Sequence, residues 1–314
     1  MKKVFISTTS FAKDDMRPLE FLRKEGLEVC MNPLGRKLAE NEIIGFLTDV
    51  DFLIAGTESL TRKVFESAKK LRIISRCGAG MDNVDIQAAT EFGIKIYNTP
   101  YGPILAVAEL TIGLILDLLR KITLADCEVK AGIWKKRMGN LLHEKKVGVV
   151  GFGKIGQKIA ELLTPFGVDI SYHDIHDKQS LLCSFKKMDD LLSWADIVTL
   201  HCTASADGKP IIGENELKRM KKTAFLINTS RGGLVDESAL YRALSRGHLS
   251  GVALDVFEQE PYNGPLMKLE NVVLTPHIGS YAKEARVEME IQAVENLLKG
   301  LRNCGIKEFR DYEL

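Results

Sequence analysis

The sequence predicts an α/β protein built on two parallel, doubly wound sheets. Its 314 residues are enough for two domains of ordinary size. Short apolar runs alternate with helix-like stretches along most of the chain, and the alternation stops and restarts once, near residue 100. Alternation of this kind is typical of parallel sheets with helices on both faces. We therefore expect two α/β domains.

The first series of elements covers the first hundred residues. Its predicted helices have apolar residues at helical spacing, and two of the three end at Gly26 and Gly93. Four apolar runs that end in loops predict its strands: VFIST (4–8), FLIAG (52–56), IISRC (73–77) and IKIYN (94–98).

A long apolar helix over about 101–121 separates this series from a second one. The second series begins at KVGVVGFG (146–153) and ends at NVVLTPH (271–277). After residue 280 the chain becomes helical again, with apolar residues at i, i+3 and i+4. Periodicity alone leaves open which domain this last helix joins.

The composition argues against several classes of function. Lys and Arg together number 43 and Asp and Glu 42, so no bulk charge attracts nucleic acid or an anionic membrane. Charged residues interrupt every long apolar run, which argues against a transmembrane helix. The six cysteines show no spacing suited to zinc, so we expect idle thiols in a cytoplasmic protein and no metal site.

A glycine-rich motif in the second series indicates dinucleotide binding. GFGKIG directly follows a predicted strand and precedes a predicted helix. Gly151 permits the tight turn, Gly153 lets the backbone approach a pyrophosphate, and Gly156 lets the helix pack closely on the strand. Lys154 and Ile155 complete the motif at the helix N-terminus, where the dipole favours phosphate. Both predicted domains are therefore expected to be Rossmann-like.

The next predicted strand ends at Asp174, where a carboxylate can accept hydrogen bonds from the adenine ribose hydroxyls. No arginine follows immediately, and the carboxylate would repel a 2′-phosphate. The sequence therefore predicts NAD rather than NADP.

Three later strands end beside polar residues suited to hydride-transfer chemistry. A hydroxy acid needs a base for its hydroxyl proton, a cation for its carboxylate and a partner that tunes the base. Arg231, Asp255 with Glu260, and His277 follow these strands. In open α/β sheets, ligands bind outside the carboxyl ends of the strands.

Seven motifs in one order give the chain a resemblance, over nearly its whole length, to the D-isomer-specific 2-hydroxyacid dehydrogenase family. The chain is most similar to its 3-phosphoglycerate dehydrogenases and its hydroxypyruvate or glyoxylate reductases. The motifs are SRCGAGMDNVD (75–85), NTP (98–100), AEL (108–110), GFGKIG (151–156), INTSRGGLVDE (227–237), ALDVFEQEP (253–261) and TPHIG (275–279).

The resemblance implies roles for individual residues. His277 is the acid/base, Glu260 pairs with its imidazole, and Arg231 binds the substrate carboxylate and C2 oxygen. The backbone of Gly78, Ala79 and Gly80 takes the other side of the carboxylate, and Arg76 reaches a substrate phosphate. Asp255 holds the nicotinamide end. The cofactor is further lined by Thr99, His201, Cys202, Thr203, Thr229, Ser230 and Gly279.

The resemblance also implies a domain layout and an assembly. It implies that residues 1–99 and 281–314 form a substrate domain, that residues 100–280 form the NAD domain, and that an interdomain cleft separates the two. The helix after residue 101 and Trp134 are expected to join two subunits in a homodimer. The length implies a short form without the C-terminal regulatory domain of longer members.

The sequence departs from the family near the substrate. Pro103 and Ile104 stand where phosphoglycerate enzymes commonly have Asn or Ser, and Tyr281 follows the histidine loop. The stretch 201–213 lacks the prolines usual beside adenine.

The resemblance implies that phosphoglycerate is the preferred substrate, followed by hydroxypyruvate or glyoxylate. Formate or phosphite oxidation remains an alternative, and so does an NAD(H)-sensing regulator of the same fold.

Overall fold

The computed structural model describes residues 1–203 and 208–302. Part of the predicted adenine-side stretch (204–207), Cys304 and the end of the predicted substrate domain lie outside this range. The chain forms two compact units: unit 1 contains Met1–Pro103 and the segment beginning at Ser280, and unit 2 contains Ile104–Gly279. The predicted assignment of a substrate domain (1–99 and 281–314) and an NAD domain (100–280) stays a prediction.

Unit 1 contains a five-stranded sheet in which every strand pair is parallel. The order is β2-β1-β3-β4-β5, so the chain leaves β1 on one side and returns on the other. A crevice at the carboxyl ends of such strands is the usual ligand site of a doubly wound sheet. The strands are β1 (Lys3–Ile6), β2 (Glu28–Met31), β3 (Phe52–Ala55), β4 (Ile73–Arg76) and β5 (Lys95–Asn98).

The central strands of this sheet are apolar because both of their faces are covered. Every residue of β3 is buried. The covering helices of the N-terminal segment are α1 (Arg17–Lys24), α2 (Glu40–Phe46), α3 (Arg62–Ser67) and α4 (Ile86–Glu91).

Unit 2 opens with two helices, α5 (Pro103–Arg120) and α6 (Ile122–Lys130), and then builds a seven-stranded parallel sheet. Its order is β12-β11-β10-β9-β6-β7-β8, which reverses direction at β6. The strands are β6 (Lys146–Val150), β7 (Asp169–His173), β8 (Ser184–Phe185), β9 (Ile197–Leu200), β10 (Phe225–Asn228), β11 (Gly251–Leu254) and β12 (Val272–Leu274).

Four crossover helices connect these strands: α7 (Lys154–Leu163), α8 (Met188–Trp194), α9 (Glu214–Arg219) and α10 (Glu237–Ser245). The last helix, α11 (Lys283–Arg302), belongs to unit 1. Its residues Met289, Ala293 and Leu297 pack in one buried cluster with Val4 and Ile73 of the sheet. The apolar i, i+4 spacing of α11 is thus used against unit 1.

The predicted fold class of two parallel-sheet α/β domains is confirmed. Two edge strands escaped the sequence analysis. β2 is half exposed and carries Glu28, and β8 has only two residues, so neither shows a continuous apolar run.

Among the described residues, no helix is both long and apolar enough to span a bilayer. The same residues include no cluster of three or more metal-ligating side chains. The described cysteines are all free thiols: Cys30, Cys77, Cys127, Cys183 and Cys202.

Candidate active site

The glycine-rich turn follows β6 at the point where the order of the unit 2 sheet reverses. Gly151 has φ +89°, and a Cβ there would lie 2.5 Å from the backbone N of Cys202. A Cβ on Gly156 would lie 2.2 Å from the carbonyl oxygen of Gly151. Gly153 meets nothing within 4 Å, which leaves open space before the N-terminus of α7. The three glycines thus have the separate roles that a pyrophosphate turn requires.

Asp174 lies directly after β7 and reaches this turn. Its Oδ2 accepts a hydrogen bond of 2.8 Å from the N–H of Phe152. Burial by itself raises the pKa of the carboxyl, but backbone N–H groups and Lys178 outweigh it, so the pKa lies below its ordinary value. An anionic acceptor beside a glycine turn fits the ribose of a dinucleotide.

The loop after β9 carries the residues predicted to line the adenine. His201 Nε2 lies 2.7 Å from the hydroxyl of Thr199, and burial lowers the pKa of His201 to about 3. Burial also raises the pKa of the Cys202 thiol to about 11. Both side chains are therefore neutral at physiological pH, and Thr203 is exposed.

The turn after β10 fixes the backbone that carries Arg231. The Asn228 side chain donates to the carbonyl of Arg231 at 2.7 Å and accepts from the N–H of Ser230 at 3.1 Å. Ser230 Oγ donates to the carbonyl of Cys202 at 2.6 Å, and the hydroxyls of Thr229 and Thr111 lie 2.8 Å apart. The Arg231 side chain is partly buried, and its Nη1 donates to the carbonyl of Ser230.

Asp255, at the end of β11, is fully buried and holds the loop that carries His277. Oδ1 accepts from the hydroxyl of Thr275 at 2.6 Å and from the N–H of Ile278 at 2.8 Å, and Oδ2 accepts from the N–H of Gly279 at 2.8 Å. Between these anchors, His277 has φ +56°, a left-handed conformation that needs such support. The role of Asp255 at the nicotinamide stays a prediction. The structure shows that Asp255 also anchors the loop that carries His277.

His277 and Glu260 form a direct pair. Nδ1 of the imidazole lies 2.8 Å from Oε2 and 3.0 Å from Oε1 of the carboxylate. The side chains remain 47% and 37% exposed, so a ligand can reach them. A carboxylate at Nδ1 fixes the tautomer and leaves Nε2 for proton exchange.

The loop that carries Glu260 is held against the arginine turn. The N–H of Phe257 donates to Glu260 Oε1 at 3.2 Å. Gly232 packs so closely on this loop that an added Cβ would lie 1.9 Å from the carbonyl carbon of Phe257, whereas Gly233 meets nothing within 4 Å. The backbones that carry Arg231 and Glu260 are therefore in contact.

The predicted substrate turn of unit 1 follows β4. The N–H of Gly78 donates to Thr99 Oγ1 at 2.7 Å, so this N–H already has a partner within the protein. No described residue accepts a hydrogen bond from the N–H of Ala79 or Gly80. Thr99 is fully buried, so in this unit its hydroxyl supports the turn.

Arg76 folds over this turn. A Cβ on Gly78, which has φ +152°, would lie 1.5 Å from Arg76 Nη1. The glycine therefore makes room for the guanidinium beside the two remaining N–H groups. This geometry fits an anion-binding turn.

The structure thus divides the predicted residues into two groups. Arg76, the 78–80 turn and Thr99 lie together in unit 1, and all the others lie along the carboxyl edge of the unit 2 sheet. Sequence reasoning missed Asn228 and Thr275. Both end or follow an apolar strand inside a recognised motif, and that position was the available signal.

Comparison with known proteins identifies a family for the part of the chain that carries the unit 2 residues. Residues 112–279 match the D-isomer specific 2-hydroxyacid dehydrogenase, NAD binding domain. The chain is similar to a glyoxylate reductase of Thermofilum pendens, with 41% identity over 84% of this chain and 82% of the relative. It is also 39% identical to a D-3-phosphoglycerate dehydrogenase of Methanocaldococcus jannaschii over 84% of this chain, a match that spans about half (52%) of that relative.

Comparison with solved structures shows that the fold is shared over nearly the whole chain. The TT0316 protein of Thermus thermophilus superimposes with a TM-score of 0.89 and 35% identity, over 96% of this chain and 97% of that one. The matched domain contains the glycine turn, Asp174, Arg231, Glu260 and His277. The chain therefore belongs to the D-isomer specific 2-hydroxyacid dehydrogenase family, a family of NAD-dependent oxidoreductases.

Proposed function

We propose that this protein interconverts a D-2-hydroxy acid and its 2-keto acid, with 3-phosphoglycerate as the preferred acid. The His277–Glu260 pair carries the proposal, because it combines a proton-exchanging imidazole with a fixed tautomer. It lies on the sheet edge that also bears Arg231 and the cofactor residues. Each step below uses groups of this chain.

His277 handles the proton. In the oxidative direction, Nε2 takes the proton of the C2 hydroxyl, and Glu260 stabilises the imidazolium that forms. In the reductive direction the same nitrogen returns the proton to the C2 oxygen. NAD, when bound, accepts or supplies the hydride at C2.

Arg231 in unit 2 and the 78–80 turn in unit 1 each carry groups that suit a carboxylate. A guanidinium binds a carboxylate in two parallel hydrogen bonds, and the N–H groups of Ala79 and Gly80 are suited to a carboxylate oxygen. Arg76 lies over the same turn and supplies a cation for a phosphate. This placement of Arg76 supports phosphoglycerate as the substrate.

A second candidate is reduction of glyoxylate or hydroxypyruvate. The Thermofilum pendens glyoxylate reductase matches over most of both chains, whereas the phosphoglycerate dehydrogenase match spans half of that relative. Pro103 replaces a polar residue that phosphoglycerate enzymes commonly have. The two candidates share the same chemistry at C2.

The decisive experiment follows NADH absorbance with 3-phosphoglycerate, 3-phosphohydroxypyruvate, hydroxypyruvate and glyoxylate. His277→Ala is expected to lower kcat by about 10²- to 10⁴-fold without loss of NADH binding, because general acid–base catalysis is removed. His143→Ala, which changes a histidine whose side chain is 62% exposed, is the matched control. Tight NADH binding by the parent without turnover of any acid would contradict the proposal and favour a sensor.

The proposal includes a homodimer. Several large apolar side chains between residues 101 and 141 are half or more exposed in the single chain, which favours a partner surface. They include Ile122, Val129, Ile133, Trp134, Met138 and Leu141. Sedimentation equilibrium of the parent and of Trp134→Ser tests it, and a monomeric parent would contradict it.

The proposed compartment is the cytoplasm. The five described cysteines are free thiols, which favours a reducing environment.

A further inference from the structure

The first turns of α11 in unit 1 contain a buried arginine that the proposed chemistry does not use. Arg286 is only 8% exposed, and its partner Glu290 is 1% exposed. Burying two charges costs several kcal/mol per ion unless excellent geometry recovers it, so an apolar pair is often at least as stable. A buried pair therefore needs a reason beyond stability.

The pair does not have the geometry of an optimal structural ion pair. Nη2 of Arg286 lies 3.3 Å from Oε1 of Glu290, which is a single long contact rather than a two-bond one. The same nitrogen donates to Ser10 Oγ at 2.6 Å and lies 3.7 Å from Cys77 Sγ. All the hydrogen bonds of the guanidinium to described residues thus leave from one of its three nitrogens.

The other N–H donors of the Arg286 guanidinium make no hydrogen bond to a described residue. Nε is buried without a hydrogen-bond partner, and no described residue accepts from Nη1. A guanidinium has five N–H donors in a fixed plane, so the two N–H groups of Nη1 and that of Nε remain. Nε is the buried donor of these, and its unpaired state is costly. Nη1 is not among the buried unpaired atoms, so it is the donor that a ligand oxygen can reach.

The guanidinium lies at the carboxyl edge of the unit 1 sheet, in contact with the residue that precedes the 78–80 turn. Cys77 immediately precedes the 78–80 turn, and Ser10 follows β1, so both are at the carboxyl edge of the unit 1 sheet. The Tyr281 ring covers the guanidinium at 5.4 Å and is itself 58% exposed. Glu290 Oε2 accepts from the N–H of Ala12 at 2.8 Å, which fixes the β1 loop against α11.

We propose that Arg286 is a specificity-determining residue whose unused donors bind an oxygen-bearing group on the carbon beyond C2 of the acid. The inference rests on the proposed function and deepens it. It assigns the chain to acids with a hydroxyl, phosphate or carboxylate on C3. Glyoxylate, which has no carbon beyond C2, cannot use Arg286.

The test compares kcat/KM for hydroxypyruvate, 3-phosphohydroxypyruvate and glyoxylate in the parent and in Arg286→Met. The variant is expected to lose about 10- to 100-fold on the two acids with a C3 oxygen, because a charge-assisted hydrogen bond is lost. Its kcat/KM for glyoxylate is expected to change by less than about threefold, because glyoxylate has no group that can reach Arg286. Arg17→Met removes an exposed arginine of the same unit and is the matched control.

Two further variants keep the test decisive if the single variant is unstable. Arg286→Met with Glu290→Gln avoids leaving a buried unpaired carboxylate and keeps an acceptor for Ala12. Arg286→Lys keeps the charge but not the planar fork. Equal loss on all three acids would make Arg286 a structural residue, and no loss on any would remove it from the site. A parent inactive towards glyoxylate and the other acids would instead overturn the proposed function.

Discussion

The two units each carry a cation–carboxylate pair near the carboxyl edge of a parallel sheet, and the pairs differ in exposure. The side chains of His277 and Glu260 in unit 2 are 47% and 37% exposed, whereas the side chains of Arg286 and Glu290 in unit 1 are only 10% and 2% exposed. An exposed imidazole can exchange a proton with a substrate. A buried guanidinium, which never loses its proton, can only bind and orient. Burial thus separates proton transfer from recognition.

The largest expected effect comes from breaking the exposed pair. Glu260→Gln is expected to lower the reductive kcat by about 10²-fold at neutral pH, because the imidazolium loses its counter-charge. Steady-state kcat for 2-keto acid reduction checks this, with Glu258→Gln as the control in the same loop. An unchanged kcat would show that the contact has no catalytic role.

A smaller loss should follow from disturbing the backbone behind that pair. Gly232→Ala places a Cβ 1.9 Å from Phe257, so the Glu260 loop must shift, and a displacement of about 1 Å can cost up to about 10²-fold in kcat. Gly233→Ala meets nothing within 4 Å and is expected to behave as the parent. Equal activity of the two variants would contradict the coupling between the arginine turn and Glu260.

Asp174→Ala is expected to weaken cofactor binding without affecting proton transfer, although both take place along the carboxyl edge of the unit 2 sheet. We expect KM for NAD to rise about tenfold and discrimination against NADP to relax, because the ribose acceptor and its repulsion of a 2′-phosphate are both lost. The pH–rate profile at saturating NAD should not move. The exposed Asp169 of β7 provides the control Asp169→Ala. Unchanged affinity for both cofactors would exclude Asp174 from the site.

The smallest effect is expected for the buried pair, and it should appear in stability. Burial raises the pKa of the Glu290 carboxyl. A carboxyl whose pKa is raised by folding stabilises the protein at low pH, and this stability is lost as pH rises through the folded pKa. Gln does not titrate, so the Tm of Glu290→Gln should fall less than that of the parent between about pH 4 and 7, by about 2–4 °C.

Thermal unfolding at several pH values checks this, with the exposed Glu288→Gln on the same helix as the control. Parallel Tm curves for the parent and Glu290→Gln would mean that Glu290 does not titrate with folding. A shift in the pH–rate profile of this variant would contradict the separation of the two pairs.

The sequence determined the fold class and the edge on which the unit 2 residues lie. The apolar strands of unit 2 are followed by the site residues Gly151, Asp174, Arg231 and His277. Because the strands are parallel, these residues lie at the same edge of the sheet, whatever the packing details. The sequence did not reveal β2 and β8, because edge strands need no apolar face. The left-handed conformation of His277 was also hidden, because it depends on hydrogen bonds that its neighbours in the loop donate to Asp255, 22 positions before His277.

Only the tertiary structure decided that Arg286 and Glu290 form a buried pair and not a solvated one. Four residues apart on a helix, they have the spacing of an ordinary solvated ion pair. They are buried because α11 packs on the unit 1 sheet through Met289, Ala293 and Leu297, a contact between segments more than 200 residues apart. The local sequence shows which face of a helix is apolar. Which other element packs on that helix, and so buries its polar residues, depends on the folded chain.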